Sequence, residues 1–197
     1  MPRNVPYVLS EEEQRAFLEQ FNKRYKTPHR NLVMCRCMLE AGLRSDEVRS
    51  LKVKDVDLGR RRLEIRDGKG GRDGIAFINE SLRDALSEWM SRLTEKLNPD
   101  CDWLFPTHND TKVSGRYLRR MCKKTARKAD VRKPEEVSAH TLRHSFATSL
   151  LRQGANLRQV QEALRHSSIQ TTQIYTHIEN PELEQVMADF RPKIGGA

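Results

Sequence analysis

Between residues 60 and 80 the chain stops repeating every three to four residues and begins to alternate. Arg62-Leu63-Glu64-Ile65-Arg66 puts an apolar side chain at every second position, as a half-buried strand requires. Asp67-Gly68-Lys69-Gly70-Gly71 follows, and then Ile75-Ala76-Phe77-Ile78. Two apolar runs around a glycine-rich turn predict a β-hairpin. A lone hairpin is marginal in water and must lie on something else to bury its apolar face. Every other periodic segment has helical spacing, so the hairpin has to pack on helices. The prediction is a mainly α fold with a small antiparallel β-sheet, in the α+β class.

The helices announce themselves by their caps. Residues 1–9 read as an extended lead-in, because Pro2 and Pro6 discourage helix. Ser10 with Glu13 has the capping-box pattern and predicts a helix to about Lys26. A second helix starts near His29, carries Leu32, Val33, Met34, Met38, Leu39 and Ala41, and stops at Gly42. Ser45 caps a short third, with Asp46 and Glu47 in the turn where the helix dipole favours acids. Asn79 caps a helix with Leu82, Leu86, Met90 and Leu93 on one face. Trp103-Leu104-Phe105 reads as a short buried strand. Ser114 caps a strongly basic helix to about Lys128, Ser138 opens one closed by Gly154, and Asn156 opens another to about Arg165. Two more are expected at 169–177 and 181–190, before a fraying Gly195-Gly196-Ala197 tail.

At 197 residues the chain supports one sizeable core. Lys and Arg total 36 against 27 Asp and Glu, a formal +9, which suits a polyanionic partner as well as a merely soluble basic protein. No apolar run approaches the ~20 residues that span a bilayer, and Met1-Pro2-Arg3-Asn4-Val5-Pro6 has no apolar signal core. The expectation is a cytoplasmic, nucleoid-associated protein with no membrane partner. Cys35, Cys37, Cys101 and Cys122 show no zinc spacing and read as reduced structural thiols. None of the six histidines falls in a ligand cluster with acids or cysteines, so no metal and no cofactor is expected.

Two strings carry chemistry. In His140-Thr141-Leu142-Arg143-His144, His140 and Arg143 are i,i+3 and share a helix face. A proton-transfer group beside a permanent cation suits a phosphodiester, whose reaction builds charge on non-bridging oxygens while protons move at bridging ones. An arginine paired with an acid and a histidine near a helix start would produce the same string without chemistry. The second string runs Leu164-Arg165-His166-Ser167-Ser168-Ile169-Gln170-Thr171-Thr172-Gln173-Ile174-Tyr175-Thr176-His177. A tyrosine there is, by itself, an ordinary packing residue, and Lys69 alone is an ordinary turn lysine.

Taken together, these strings resemble the tyrosine recombinase (phage integrase) family. That family has a Leu-Gly-His-Ser-Ser string, a Thr-Thr pair and a Tyr-Thr-His ending. It also has a His-x-Leu-Arg-His motif, a Gly-Leu-Arg-x-x-Glu motif matched at Gly42-Leu43-Arg44-Ser45-Asp46-Glu47, and a Gly-Lys-Gly hairpin turn matched at 68–70. The four matches keep the family's order from Gly42 to His177, and the helical periodicity extends the likeness to about Ser10. Arg165 departs from the family's usual glycine, and the hairpin lacks a common second basic pair. The family's N-terminal DNA-clamping domain has no counterpart in the 197 residues. The chain therefore reads as either the catalytic domain of a longer protein or a short recombinase.

The resemblance implies a site-specific DNA strand-transferase of the tyrosine recombinase type, acting on double-stranded DNA. Tyr175 would be the nucleophile and form a 3′-phosphotyrosine. Arg44 and Arg143 would clamp the non-bridging oxygens, Lys69 would protonate the leaving 5′-oxygen, His140 would assist proton transfer at Tyr175, and His166 would hydrogen-bond the phosphate. Glu47 would orient the site from behind. Residues 10–179 form the expected catalytic domain after the 1–9 lead-in, and 180–197 form a C-terminal helix and tail. Leu183, Val186, Met187 and Phe190 give that helix an apolar stripe for docking on a neighbouring protomer or on its own domain. Self-association into a tetrameric synapse on DNA is implied, with a monomer possible off DNA. Arg116, Arg119, Arg120 and Lys123 of the basic 112–133 run, and Arg165, are candidate DNA contacts. A regulator that has lost catalysis would have no chemical need for six such positions. A type IB topoisomerase shares the residue types but fits the His-x-Leu-Arg-His and Thr-Thr-x-x-Tyr strings less well.

Overall fold

Most helix starts described in this chain are set by side chains that answer exposed backbone N–H groups. In the computed structural model, which describes residues 6–68, 72–94 and 101–165, the capping box predicted at Ser10 and Glu13 opens α1 (Glu11–Glu19). Then come α2 (Lys26–Glu40), α3 (Ser45–Ser50), β1 (Val56–Asp57), β2 (Arg62–Gly68) and β3 (Arg72–Phe77). The four remaining described helices are α4 (Glu80–Thr94), α5 (Gly115–Lys128), α6 (Ala139–Arg152) and α7 (Leu157–Ala163). Asn79 Oδ1 accepts from Leu82 N–H at 2.7 Å, and Ser114, Ser138 and Asn156 cap α5, α6 and α7 as predicted.

The hairpin is present and carries a third strand. The sheet runs β1-β2-β3, all antiparallel. Its register pairs Leu63 with Ala76 and Ile65 with Gly74. Leu63, Ile65 and Ala76 are buried, while Ile75 and Phe77 point outward. The core is continuous through α1, α2, α4, α5 and the inner face of this sheet, with a satellite of Phe146, Ala147, Val160 and Leu164 between α6 and α7. Central α2 is buried along most of its length, and Trp89 of α4 fills the space beside it, donating from Nε1 to the Leu104 carbonyl at 2.8 Å.

Four boundaries differ from expectation. α1 stops at Glu19 instead of Lys26, because Asn22 Oδ1 takes the Arg24 N–H at 2.9 Å and Phe21 turns into the core. α2 starts at Lys26 instead of His29, since Pro28 is tolerated in a first turn whose N–H groups have no helical partner. The cap of α3 is Arg44, whose backbone N–H is taken by Glu47, and Ser45 is already inside the helix. Trp103-Leu104-Phe105 forms a single bridge, Lys52 to Trp103, with Leu104 N–H on the Leu51 carbonyl at 2.8 Å, too short to make a strand. The helices expected at 169–177 and 181–190 lie outside the described residues. All four cysteines are free and buried. Burial pushes the Cys35 and Cys37 thiols up, away from the reactive thiolate.

Candidate active site

The site begins at a glycine. Gly42 lies in the α2–α3 connection at φ +61, and a β-carbon there would sit 2.5 Å from Phe146 Cδ1. Both facts demand glycine: left-handed backbone disfavours a side chain, and the α6 ring leaves no room for one. This close approach lets the Gly42 carbonyl accept from Arg143 on α6. Arg143 is buried and donates its other terminal nitrogen to the Leu164 carbonyl at the end of α7. A single guanidinium thus ties α2, α6 and α7 together.

Glu47 collects the arginines. Its side chain is 5% exposed. Oε1 accepts from Arg44 Nη1 at 2.6 Å, while Oε2 accepts from the Arg44 backbone N–H at 2.7 Å and from Arg165 Nη2 at 2.7 Å. Arg143 Nη1 stands 3.8 Å from Oε2. Burial alone would raise the Glu47 carboxyl's pKa, but the Arg165 charge and the bonds from Arg44 outweigh it and hold the pKa below the usual range. The carboxylate is therefore ionised at neutral pH and surrounded by three cations, leaving the cluster net positive.

A cleft of about 690 Å³ opens beside this cluster. Arg44 and Glu47 line it from the start of α3, and His140, exposed in the first turn of α6, lines it too. The pair expected to share one helix face parts here: His140 meets the cleft, whereas Arg143 is buried and does not line it. Lys52, Lys54, Arg66 and Lys112 add positive charge to the rim. Arg66 is held by Asp55 at 2.7 Å, and the ammonium groups of Lys52 and Lys112 lie 5.4 and 5.7 Å from the Trp103 ring centre. Sequence reasoning assigned Lys112 to the basic 112–133 run and missed the other three, because the rim draws on three separate segments. Nor did it find Arg165 on Glu47. His144 is driven down to about 4 by burial first, then by the neighbouring His140 and Arg143 charges, and stays neutral at pH 7.

The basic 112–133 run divides in space. Lys112 belongs to the cleft. Arg116, Arg119 and Arg120 are exposed on α5, and Arg120 lines a separate groove of about 280 Å³ with Pro28 and Asn31. Lys123 is 3.7 Å from Glu135. Lys69, His166 and Tyr175 lie outside the described residues. Among the described residues no cluster of three or more His, Cys, Asp or Glu could hold a metal ion, and no helix is long and apolar enough to cross a membrane. A water-accessible cleft with arginines at its wall, fixed by a dry carboxylate, is equipped to bind an oxyanion and stabilise charge developing on it.

Known proteins share this fold. The sequence profile of the phage integrase family matches residues 7–182. The chain is 34% identical over 193 residues to tyrosine recombinase XerD of Halalkalibacterium halodurans, covering 97% of this chain and 64% of that protein. It is 34% identical over 190 residues to tyrosine recombinase XerA of Pyrococcus furiosus, covering 95% and 63%. It thus spans less than two thirds of these curated relatives. The crystal structure of XerA recombinase matches with a TM-score of 0.80 at 32% identity, over 98% of this chain and 66% of that one. A crystal structure of XerH site-specific recombinase bound to palindromic difH substrate matches at 0.77 and 32% identity, over 94% and 53%. The catalytic domain of bacteriophage HP1 integrase, 22% identical, shares the fold with a TM-score of 0.64 over 98% of this chain and 99% of that one.

Proposed function

The chain belongs to the phage integrase family, the tyrosine recombinases, and from that premise we propose that it cuts and rejoins double-stranded DNA through a 3′-phosphotyrosine at Tyr175. The Tyr175 oxygen attacks a DNA phosphorus, the bond from phosphorus to the 5′-oxygen breaks, and the protein is left joined to the 3′ end. A free phenol has a pKa near 10, so its proton needs an acceptor at neutral pH; His140, exposed to the cleft, takes that role. Lys69 returns a proton to the leaving 5′-oxygen. Arg44 and Arg143 hold the non-bridging oxygens, aided by a hydrogen bond from His166, and Glu47 fixes the arginines. A 5′-hydroxyl from the partner strand then attacks the phosphotyrosine, so the energy of the broken phosphodiester is conserved and no cofactor is consumed.

The observation that carries this reading is the convergence of Arg44 and Arg143, from segments about a hundred residues apart, on one dry carboxylate at the wall of the cleft that His140 enters. Its test is direct. A nicked suicide duplex containing the cognate site should give an SDS-stable protein–DNA adduct, and Tyr175→Phe should give none; an equal adduct from the variant sinks the assignment. Solved relatives that bind DNA, XerH on difH among them, support duplex DNA as the partner. Recombination of two sites calls for a tetrameric synapse. The apolar stripe Leu183, Val186, Met187 and Phe190, outside the described residues, supports docking of 180–197 on a neighbouring protomer. Deletion of 180–197 should spare DNA binding and weaken synapsis, and undiminished recombination by the shortened chain would refute this.

A further inference from the structure

Arg165 occupies a backbone position that its side chain should avoid. It follows α7 at φ +53, its N–H on the Glu162 carbonyl at 2.9 Å, in the left-handed conformation that usually closes a helix with glycine. The side chain folds back instead of entering solvent, and is 13% exposed. Nη2 is 2.7 Å from Glu47 Oε2, and Nη1 donates to the Ala163 carbonyl at 3.1 Å. Its own carbonyl accepts from Arg44 Nη2 at 3.3 Å. The methylenes run under β3 where the strand has no side chain: a β-carbon on Gly74 would be 3.0 Å from Arg165 Cδ. One residue therefore touches Glu47, Arg44 and the sheet.

Glu47 Oε2 already takes the Arg44 N–H and Arg165, and Arg143 stands off at ion-pair distance with donors on the Gly42 and Leu164 carbonyls. Without Arg165, Oε2 would lose a side-chain donor with Arg143 Nη1 only 3.8 Å away, and a dry carboxylate would draw that guanidinium off those carbonyls. We infer that Arg165 is a positioning residue: by holding Glu47 Oε2 and bracing the Arg44 guanidinium with its carbonyl, it fixes where Arg44 and Arg143 present their donors to a phosphate. This rests on the recombinase reading above, and it places Arg165 behind the site instead of on the DNA.

Arg165→Gly suits the backbone and should fold. In single-turnover cleavage of the suicide duplex we expect the saturated rate to fall about tenfold, as coupling within such a network allows. The DNA concentration for half-saturation should stay within about twofold. Gly74→Ala, which crowds the Arg165 stem but keeps its charge, should slow cleavage in the same sense. Adding Glu47→Gln to Arg165→Gly should cause no further loss beyond Glu47→Gln alone. Weakened half-saturation at an unchanged rate would make Arg165 a DNA contact and overturn the inference, as would single effects that simply multiply. If the wild-type protein forms no adduct, the recombinase reading fails. The inference is then judged by guanidinium NMR on the DNA-free protein: altered Arg143 and Arg44 side-chain exchange in Arg165→Gly supports it, and unaltered exchange overturns it.

Discussion

Glu47 is nearly dry, yet the arginines around it keep its carboxyl charged, so its position is settled by electrostatics that a backbone glycine makes possible. Gly42 shows how little slack there is. Its left-handed φ and the Phe146 ring at 2.5 Å from a built β-carbon act together. Gly42→Ala should cost about 2–4 kcal/mol, combining the left-handed penalty with overpacking, and urea denaturation should show it as a lower midpoint at unchanged slope. The damage should extend to the chemistry, because the Gly42 carbonyl accepts from Arg143. A variant as stable as the parent would mean that Phe146 swings away freely, and the tight contact would then lose its significance.

At the scale of elements, the lead-in is clasped by one carboxylate, beside the bond from Leu9 N–H to Ser145 Oγ at 2.9 Å. Glu13 caps α1 through the Ser10 N–H at 2.9 Å, accepts from the Tyr7 hydroxyl at 2.8 Å, and takes Arg132 Nε and Nη2 at 2.9 and 3.1 Å. Burial opposes its charge, but the Arg132 bonds outweigh burial and pull its carboxyl down to about 2. A depressed carboxyl stabilises above its unfolded pKa of about 4.3 and loses that contribution as pH falls toward 2. Arg132 is largely exposed, which weakens the pair. Glu13→Gln should therefore lower stability by about 1–2 kcal/mol at pH 7, with the gap to the parent narrowing between pH 5 and pH 2; a pH-independent gap would assign the loss to packing. Half of this clasp was legible in the sequence and half was not. The Ser10–Glu13 box lies within one helical turn, so local chemistry reveals it, as it does the caps at Asn79, Ser114, Ser138 and Asn156. The Arg132 bond spans 119 residues, and the Arg165–Glu47 bond spans 118. Pairings at that distance leave no periodic trace, and on sequence alone both arginines look like solvent-facing charge. The end of α1 escaped for the opposite reason. The apolar spacing continues through Phe21, but the Asn22 side chain offers the backbone a competing bond that periodicity does not register.

Across the whole molecule, two separate basic surfaces among the described residues make different predictions. Lys52, Lys54, Arg66 and Lys112 rim the cleft, whereas Arg116, Arg119 and Arg120 stand exposed on α5 and do not line it. Each phosphate neutralised on duplex DNA steepens the dependence of log binding constant on log salt by about 0.9. If α5 follows the DNA backbone, replacing all three arginines with alanine should flatten that slope by about 2–3 and leave the saturated cleavage rate unchanged, since none of them touches the arginine cluster. Replacing Lys54 and Lys112 should flatten the slope by up to about 2 and slow cleavage as well, because these side chains share a wall with Arg44 and His140. Fluorescence anisotropy over a salt series, paired with suicide-substrate kinetics, separates the two surfaces. An unchanged slope in the α5 variant would confine the DNA path to the cleft rim. The basic helix would then be a solvated face that its sequence made look like a binding surface.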